Sequence, residues 1–194
     1  MFDYFAKEKS DFLKKKDKSR KGCVDDDIKE LIKIINSKKD YYTTSSCAGR
    51  IVLLEMKSKK KNECNWIFAK HDKITLNDIL NSLKKFKNQK NKINQIWFKQ
   101  QPIILHVACR NLEAANKLLE VSRKIFRRAG IIGITSRKVV VEIIGDERLD
   151  TIIADKDFTA EENYLKNLVK YANGNFVENK RKINKFFGLV KKNC

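Results

Sequence analysis

The chain has 194 residues, 42% of them hydrophobic, which is enough for one folded domain with a proper core. Its 43 Lys and Arg exceed its 24 Asp and Glu, and the net charge of +19 favours an anionic partner, with nucleic acid ahead of an acidic membrane surface. One Pro and seven Gly argue against a turn-rich β-sandwich, and a lysine-rich solvated surface is the plain alternative explanation of the charge.

The sequence also bears on the cellular compartment. No apolar run approaches the roughly 20 residues of a membrane span, and the first residues, MFDYFAKEKSDFLKKK, lack the apolar segment of a secretory signal. Five scattered cysteines without a C-x-x-C pair favour reduced thiols. We therefore expect a cytoplasmic protein, with nothing that indicates a membrane or an obligate protein partner.

Helices and strands are mixed in the first half of the chain. The spacing of apolar residues predicts a basic helix over residues 2–18 and a second helix through residues 24–35. The polar stretch Thr43–Arg50 is predicted as a loop. The apolar runs Ile51–Met56 and Cys64–Lys70 that follow it are predicted as two antiparallel strands.

The second half continues the mixture. A capping sequence, TLND (Thr75–Asp78), opens a predicted third helix, and a long helix from Leu112 is predicted to end near Gly130. TAEE (Thr159–Glu162) is predicted as a capping box that opens one or two C-terminal helices. The other predicted strands are QIWFKQ (Gln95–Gln100), PIILHVAC (Pro102–Cys109), the pair IIGIT and KVVVEII, and an edge strand TIIA.

These elements predict a mixed α+β fold, organised as a single domain over residues 1–194 with a largely antiparallel sheet and flanking helices. The glycine signatures of two nucleotide-binding folds, G-x-G-x-x-G and G-x-x-x-x-G-K-[ST], do not occur in the sequence. A Rossmann-like arrangement is therefore not predicted.

The stretch Thr43–Arg50 is the first candidate for a binding site. Its small residues allow close backbone approach to a ligand, its hydroxyls and N–H groups offer hydrogen bonds, and Arg50 can fork onto a carboxylate or phosphate. The alternative is a connector in which Thr and Ser satisfy their own backbone.

Two other positions carry titratable groups of interest. In PIILHVACR, strand alternation turns His106 to the face opposite Leu105 and Val107. There His106 is either a catalytic base or a hydrogen-bonded core residue. Asp25 lies at the start of the predicted second helix, where it complements the helix dipole. Among the Cys and His residues, zinc-ligand spacing is found only in His106-x-x-Cys109, so no metal site is predicted.

Segments along almost the whole chain form a recognisable set. They are SRKGCVDDDI (Ser19–Ile28), YYTTSSCAGRI (Tyr41–Ile51), Trp66 with His71, PIILHVACR (Pro102–Arg110), Phe126-Arg127-x-x-Gly130-Ile131, and ENKRKINKFF near the C-terminus. Together, and in this order, they resemble the tRNA wybutosine-synthesising protein 3 family. The S-S-C-x-G-R element is the most specific of them.

The resemblance implies an S-adenosylmethionine-dependent methyltransferase with its own α/β arrangement. Its substrate would be the tricyclic guanosine derivative beside the anticodon of phenylalanine tRNA, methylated on a ring nitrogen, with Lys and Arg contacting the tRNA phosphates. Carried over residue by residue, the resemblance implies cofactor binding by Ser45, Ser46, Cys47, Gly49 and Arg50, and catalysis by Asp25 and His106.

Two other functions compete with that of a methyltransferase. In a non-catalytic RNA-binding module, the same basic surface and the stretch Thr43–Arg50 would grip a phosphate or a splayed base. A hydrolase using Ser45 or Ser46 with His106 lacks the G-x-S-x-G context of such a nucleophile. The RNA-binding module is thus the stronger alternative.

Overall fold

A computed structural model describes residues 2–15, 24–56, 64–88 and 94–193. The end of the predicted first helix and much of the SRKGCVDDDI segment lie outside them. The elements, in chain order, are α1 (Tyr4–Leu13), a 3-10 turn (Asp26–Ile28), α2 (Lys29–Ser37), β1 (Tyr41–Cys47), β2 (Arg50–Met56), β3 (Cys64–Lys70), α3 (Leu76–Asn88), β4 (Gln95–Gln101), β5 (Ile104–Cys109), α4 (Leu112–Arg123), β6 (Arg128–Ile134), β7 (Val139–Ile144), β8 (Leu149–Ala154) and α5 (Glu162–Asn193).

The chain divides into two compact units, each with its own antiparallel sheet. Unit 1 comprises Met1–Ala48, Ile103–Asp146 and Asn179–Cys194, and unit 2 comprises Gly49–Pro102 and Glu147–Glu178. The predicted α+β class with antiparallel sheets and flanking helices is confirmed. The organisation as a single domain over 1–194 stays a prediction.

Sheet A, in unit 1, has the strand order β1-β5-β7-β6. Leu105 and Val107 of β5 are fully buried on one face of this sheet, which we call its core face. The core face packs with apolar residues of α2, α4 and the end of α5, namely Leu31, Ile35, Leu118, Ile183 and Phe186. The opposite face, called the outer face, carries α1 over one end, where Phe5 packs on Tyr42 and Ala108.

Sheet B, in unit 2, has the strand order β3-β2-β4-β8. Alternate residues of its central strands, such as Ile51 and Phe98, are fully buried and form a second core with α3 and the first part of α5. The TLND capping sequence is confirmed, because the amide of Thr75 donates to the Asp78 carboxylate and the amide of Asp78 donates to the Thr75 hydroxyl. Within the described residues, no helix combines the length and apolar character that crossing a membrane requires.

The prediction of a loop at Thr43–Arg50 is wrong. Tyr41–Cys47 is strand β1, and only Ala48 and Gly49 separate it from β2. Because β1 lies at the edge of sheet A, its polar side chains fit a half-exposed strand as readily as a loop. The apolar strands predicted at Ile51–Met56 and Cys64–Lys70 are confirmed as β2 and β3, and they pair antiparallel.

Two helix boundaries also differ from prediction. Helix α4 ends at Arg123, and by Arg128 the chain already pairs with Ile144 of β7 as a strand. Gly130 therefore lies within β6. Thr159 opens no helix, because it pairs with Ala154 in an isolated β-bridge, and α5 begins at Glu162 as one continuous helix.

A polar network ties α1 to the outer face of sheet A. The Glu8 carboxylate accepts hydrogen bonds from the Lys138 ammonium and from the Tyr42 hydroxyl. The Lys138 hydrogen bond lowers the pKa of Glu8 below its ordinary value, whereas burial raises the pKa of Tyr42. The folded protein therefore favours an ionised Glu8 next to a neutral Tyr42.

We expect this network to make the stability of the protein depend on acid pH. The pKa of Glu8 is lower in the folded state than its ordinary value of 4.5. The stabilisation that ionised Glu8 gives the folded protein is therefore complete above pH 4.5, and it is lost as the pH falls through the pKa of the folded state. Glu8→Gln should remove up to about 1 kcal/mol at pH 7, a modest amount because the pair is half-exposed. Urea unfolding between acid and neutral pH checks this.

The matched control is Asp11→Asn, which removes an exposed carboxylate from the same helix. It should leave the pH dependence unchanged. A Glu8→Gln variant with the same acid-induced loss of stability as wild type would contradict the prediction.

Candidate functional site

The S-S-C-x-G-R element occupies the end of β1 and the start of β2. Ser45, Ser46 and Cys47 belong to unit 1, whereas Gly49 and Arg50 begin unit 2. Gly49 has φ = 105°, in the left-handed region where a side chain would be strained, and this lets a two-residue connection join the strands.

Ala48, at the end of this part of unit 1, is held by two side chains. Its amide donates to the Asp25 carboxylate at 2.8 Å, and its carbonyl accepts from the Asn179 side-chain amide at 2.7 Å. The Asn179 side-chain oxygen also accepts from the amide of Ile103 at 2.8 Å. Asp25 makes no capping bond to the 3-10 turn that follows it, so its side chain positions Ala48 instead.

Replacing Asn179 with alanine is expected to destabilise the protein by about 2–4 kcal/mol, because two buried backbone groups lose their partner. Asn179 is fully buried, and water cannot replace the lost bonds without opening the core. Asn167→Ala, at an exposed position of the same helix, should cost less than about 0.5 kcal/mol. Urea unfolding of both variants tests the prediction, and equal losses would contradict it.

The outer face of sheet A carries a histidine–carboxylate pair. His106 of β5 lies opposite Ser45 of β1 on one side and Glu142 of β7 on the other. Its Nε2 is 2.8 Å from a Glu142 carboxylate oxygen, and the two side chains are 26% and 28% exposed. The prediction that His106 faces away from Leu105 and Val107 is confirmed, because both of those residues are fully buried on the core face.

This pair is arranged as a base and its orienting group. With the Nε2 proton donated to Glu142, Nδ1 is the proton acceptor. Within the described part of the chain, Nδ1 makes no hydrogen bond, so it can take one from a ligand. Ser45, whose side chain is exposed, is paired with His106 across the two strands.

Glu142 was not among the predicted site residues. Its signal is present in VVVEII (Val139–Ile144), where it is the single charged residue of an otherwise apolar strand. A carboxylate in the middle of such a strand needs a polar partner. That partner, His106, lies 36 residues away in the sequence, and only the strand register identifies it.

The other predicted residues of unit 1 take different positions. A carboxylate oxygen of Asp25 lies within 4.8 Å of the Cys47 sulfur. Cys47 is two residues beyond Ser45, about 7 Å along the strand, which places Asp25 and His106 near the same end of sheet A. Ser46 pairs with Leu105, so strand alternation directs it to the core face, away from His106.

Arg50 is held in a defined orientation within unit 2. Its Nε donates to the Gln101 side-chain oxygen at 2.7 Å, and its guanidinium carbon lies 4.7 Å from the centre of the Trp66 ring. Among the described residues, its terminal nitrogens have no hydrogen-bond partner. A guanidinium fixed at one edge and open at the other suits a carboxylate or a phosphate.

Known proteins resemble this chain over most of its length. A family model described as Methyltransferase TYW3 matches residues 7–192. A protein of Pyrococcus abyssi, named tRNA(Phe) 7-((3-amino-3-carboxypropyl)-4-demethylwyosine(37)-N(4))-methyltransferase 1, is 36% identical over 170 residues, which are 86% of this chain and 85% of that protein. The tRNA wybutosine-synthesizing protein 3 homolog of Mus musculus is 33% identical, over 96% of this chain and 72% of that protein.

Solved structures share the fold. The structure of the PH1069 protein from Pyrococcus horikoshii OT3 has a TM-score of 0.81 and 32% sequence identity to this chain, and covers 96% of this chain and 93% of that one. A hypothetical protein from Aeropyrum pernix is 23% identical with a TM-score of 0.75, a likeness of fold alone.

Proposed function

Because the chain belongs to the Methyltransferase TYW3 family, we propose that it methylates N4 of a 4-demethylwyosine-type base at position 37 of tRNA(Phe). The resemblance stated from the sequence is thereby confirmed, and the chain is a tRNA methyltransferase whose methyl donor is S-adenosylmethionine. The observation that carries the proposal is the family match over residues 7–192.

The tRNA substrate accounts for the charge of the protein. A net charge of +19 attracts a polyanion and favours phosphate contacts through Lys and Arg. We place the enzyme in the cytoplasm, since its proposed substrate takes part in translation there.

The donor set at Arg50 fits one part of S-adenosylmethionine. The cofactor supplies a methyl group activated by the positive charge on its sulfur. Its amino acid end carries a carboxylate, which the open terminal nitrogens of Arg50 would receive as two parallel charge-assisted bonds. The cofactor-binding roles of Ser45, Ser46, Cys47 and Gly49 stay predictions.

The base of the reaction is assigned to His106. A ring nitrogen that carries a proton must lose it when it gains a methyl group, and His106 Nδ1 is the acceptor that stands open on the outer face. Glu142 orients the imidazole through its contact with Nε2. Asp25 is 7% exposed and engaged with Ala48, which favours a positioning role over that of the base.

The proposal is tested by incubating the purified protein with labelled S-adenosylmethionine and tRNA(Phe) that carries the demethylated base. Label should enter the tRNA, and digestion should release a nucleoside that is heavier by one methyl group. Saturable tRNA binding without affinity for the cofactor would overturn the proposal and favour the non-catalytic RNA-binding module.

A further inference from the structure

Open space adjoins the histidine–carboxylate pair on the outer face of sheet A. In the pairing of β6 with β7, Gly130 lies opposite Glu142 and Arg128 lies opposite Ile144. Ala129 and Ile131, the residues that alternate with Arg128 and Gly130 along β6, pack into the core. Strand alternation therefore places Arg128 and Gly130 on the outer face. A Cβ built on Gly130 would meet no heavy atom within 4 Å.

Opposite charges border this space. Arg128 is exposed and has no hydrogen bond or ion pair within the described residues. As a diagonal neighbour across the two strands, it lies about 7–8 Å from Glu142, within reach of long side chains. One Glu142 carboxylate oxygen is bonded to His106, and the other has no partner among the described residues.

We propose that Arg128 and Glu142, across the open space at Gly130, bind an α-amino acid group carried by the substrate base. Arg128 receives the carboxylate through its planar fork, and the second oxygen of Glu142 accepts a hydrogen bond from the ammonium. The absence of a side chain at Gly130 leaves room for the aliphatic part of the group. Arg128 is then a specificity-determining residue.

The inference rests on the proposed function and deepens it. The base named for the Pyrococcus abyssi relative carries a 3-amino-3-carboxypropyl group, which bears one positive and one negative charge at neutral pH. A guanidinium and a carboxylate on one surface complement that pair of charges. The tricyclic ring system alone offers no such group.

The experiment compares two tRNA(Phe) substrates that carry 4-demethylwyosine with and without the 3-amino-3-carboxypropyl group. Arg128→Ala should lower kcat/KM for the substrate with the group by about 10- to 100-fold, the effect expected when a charge-assisted contact is lost. The same variant should change kcat/KM for the other substrate by less than about threefold.

Arg127→Ala is the matched control, because it removes a neighbouring exposed arginine that lies just before β6. It should affect both substrates equally. Gly130→Val is a second variant, which should fold because its side chain meets open space, and it should also act selectively on the substrate with the group.

Equal losses on the two substrates in Arg128→Ala would overturn the inference and make Arg128 a tRNA phosphate contact. Unchanged activity on both would overturn it as well. A wild-type protein that methylates neither substrate would instead contradict the proposed function, so the two failures are distinguishable.

Discussion

Replacing His106 with glutamine is expected to lower the turnover of methyl transfer by about 10²–10⁴-fold. Glutamine can still hydrogen-bond to Glu142, but it cannot accept a proton. His106 is 26% exposed and its ring contributes little to the core, so the melting temperature and the cofactor affinity should stay near those of wild type. Single-turnover methylation of tRNA(Phe), with cofactor saturating, measures the effect on the chemical step.

Two further variants separate a catalytic role from a structural one. His106→Ala should regain part of its activity with added imidazole, because a free base can enter the space left by the ring. Glu142→Gln keeps the proton acceptor but loosens its orientation, and should lower turnover by up to about 100-fold. If His106→Gln turned over as fast as wild type, the assignment of His106 as the base would be wrong.

The apolar periodicity of the sequence was sufficient to predict most elements of the fold. The strands at Ile51–Met56 and Cys64–Lys70 and the outward side of His106 follow from residue patterns that are local and strong. Strand β1 was missed for the opposite reason. Its hydroxyl side chains are typical of turns, and only pairing with β5, about sixty residues away, makes this stretch a strand.

The division into two units could not be predicted from local composition. Unit 1 is assembled from three separate stretches of chain and unit 2 from two, and no linker separates them. The partners of the site residues are equally distant in sequence. His106 bonds Glu142 across 36 positions, and Asn179 bonds Ala48 across 131.

The change from a loop to a strand alters the interpretation of the S-S-C-x-G-R element. In a loop, successive residues could all turn toward one ligand, whereas in β1 alternation directs Ser45 and Ser46 to opposite faces. Ser45 is therefore the better placed of the two to act beside His106. Beyond the strand, Ala48 and Gly49 set the path of the backbone into Arg50.

Replacing Arg50 with alanine is expected to weaken the binding of S-adenosylmethionine by at least about 100-fold, because a charge-assisted bidentate contact is lost. Arg50→Lys should retain part of the affinity, since an ammonium keeps the charge but cannot form two parallel bonds. Gln101 and Trp66 orient the guanidinium and do not replace its charge. Calorimetric titration with S-adenosylmethionine and S-adenosylhomocysteine measures both variants.

Arg148→Ala is the matched control, because it removes another arginine of unit 2 that is already paired with Asp150. It should bind both ligands as wild type does. If Arg50→Ala bound the cofactor normally but lost tRNA affinity, the open edge of the guanidinium would belong to a phosphate of the substrate. The carboxylate of the cofactor would then need another cation, and the proposed role of Arg50 would be wrong.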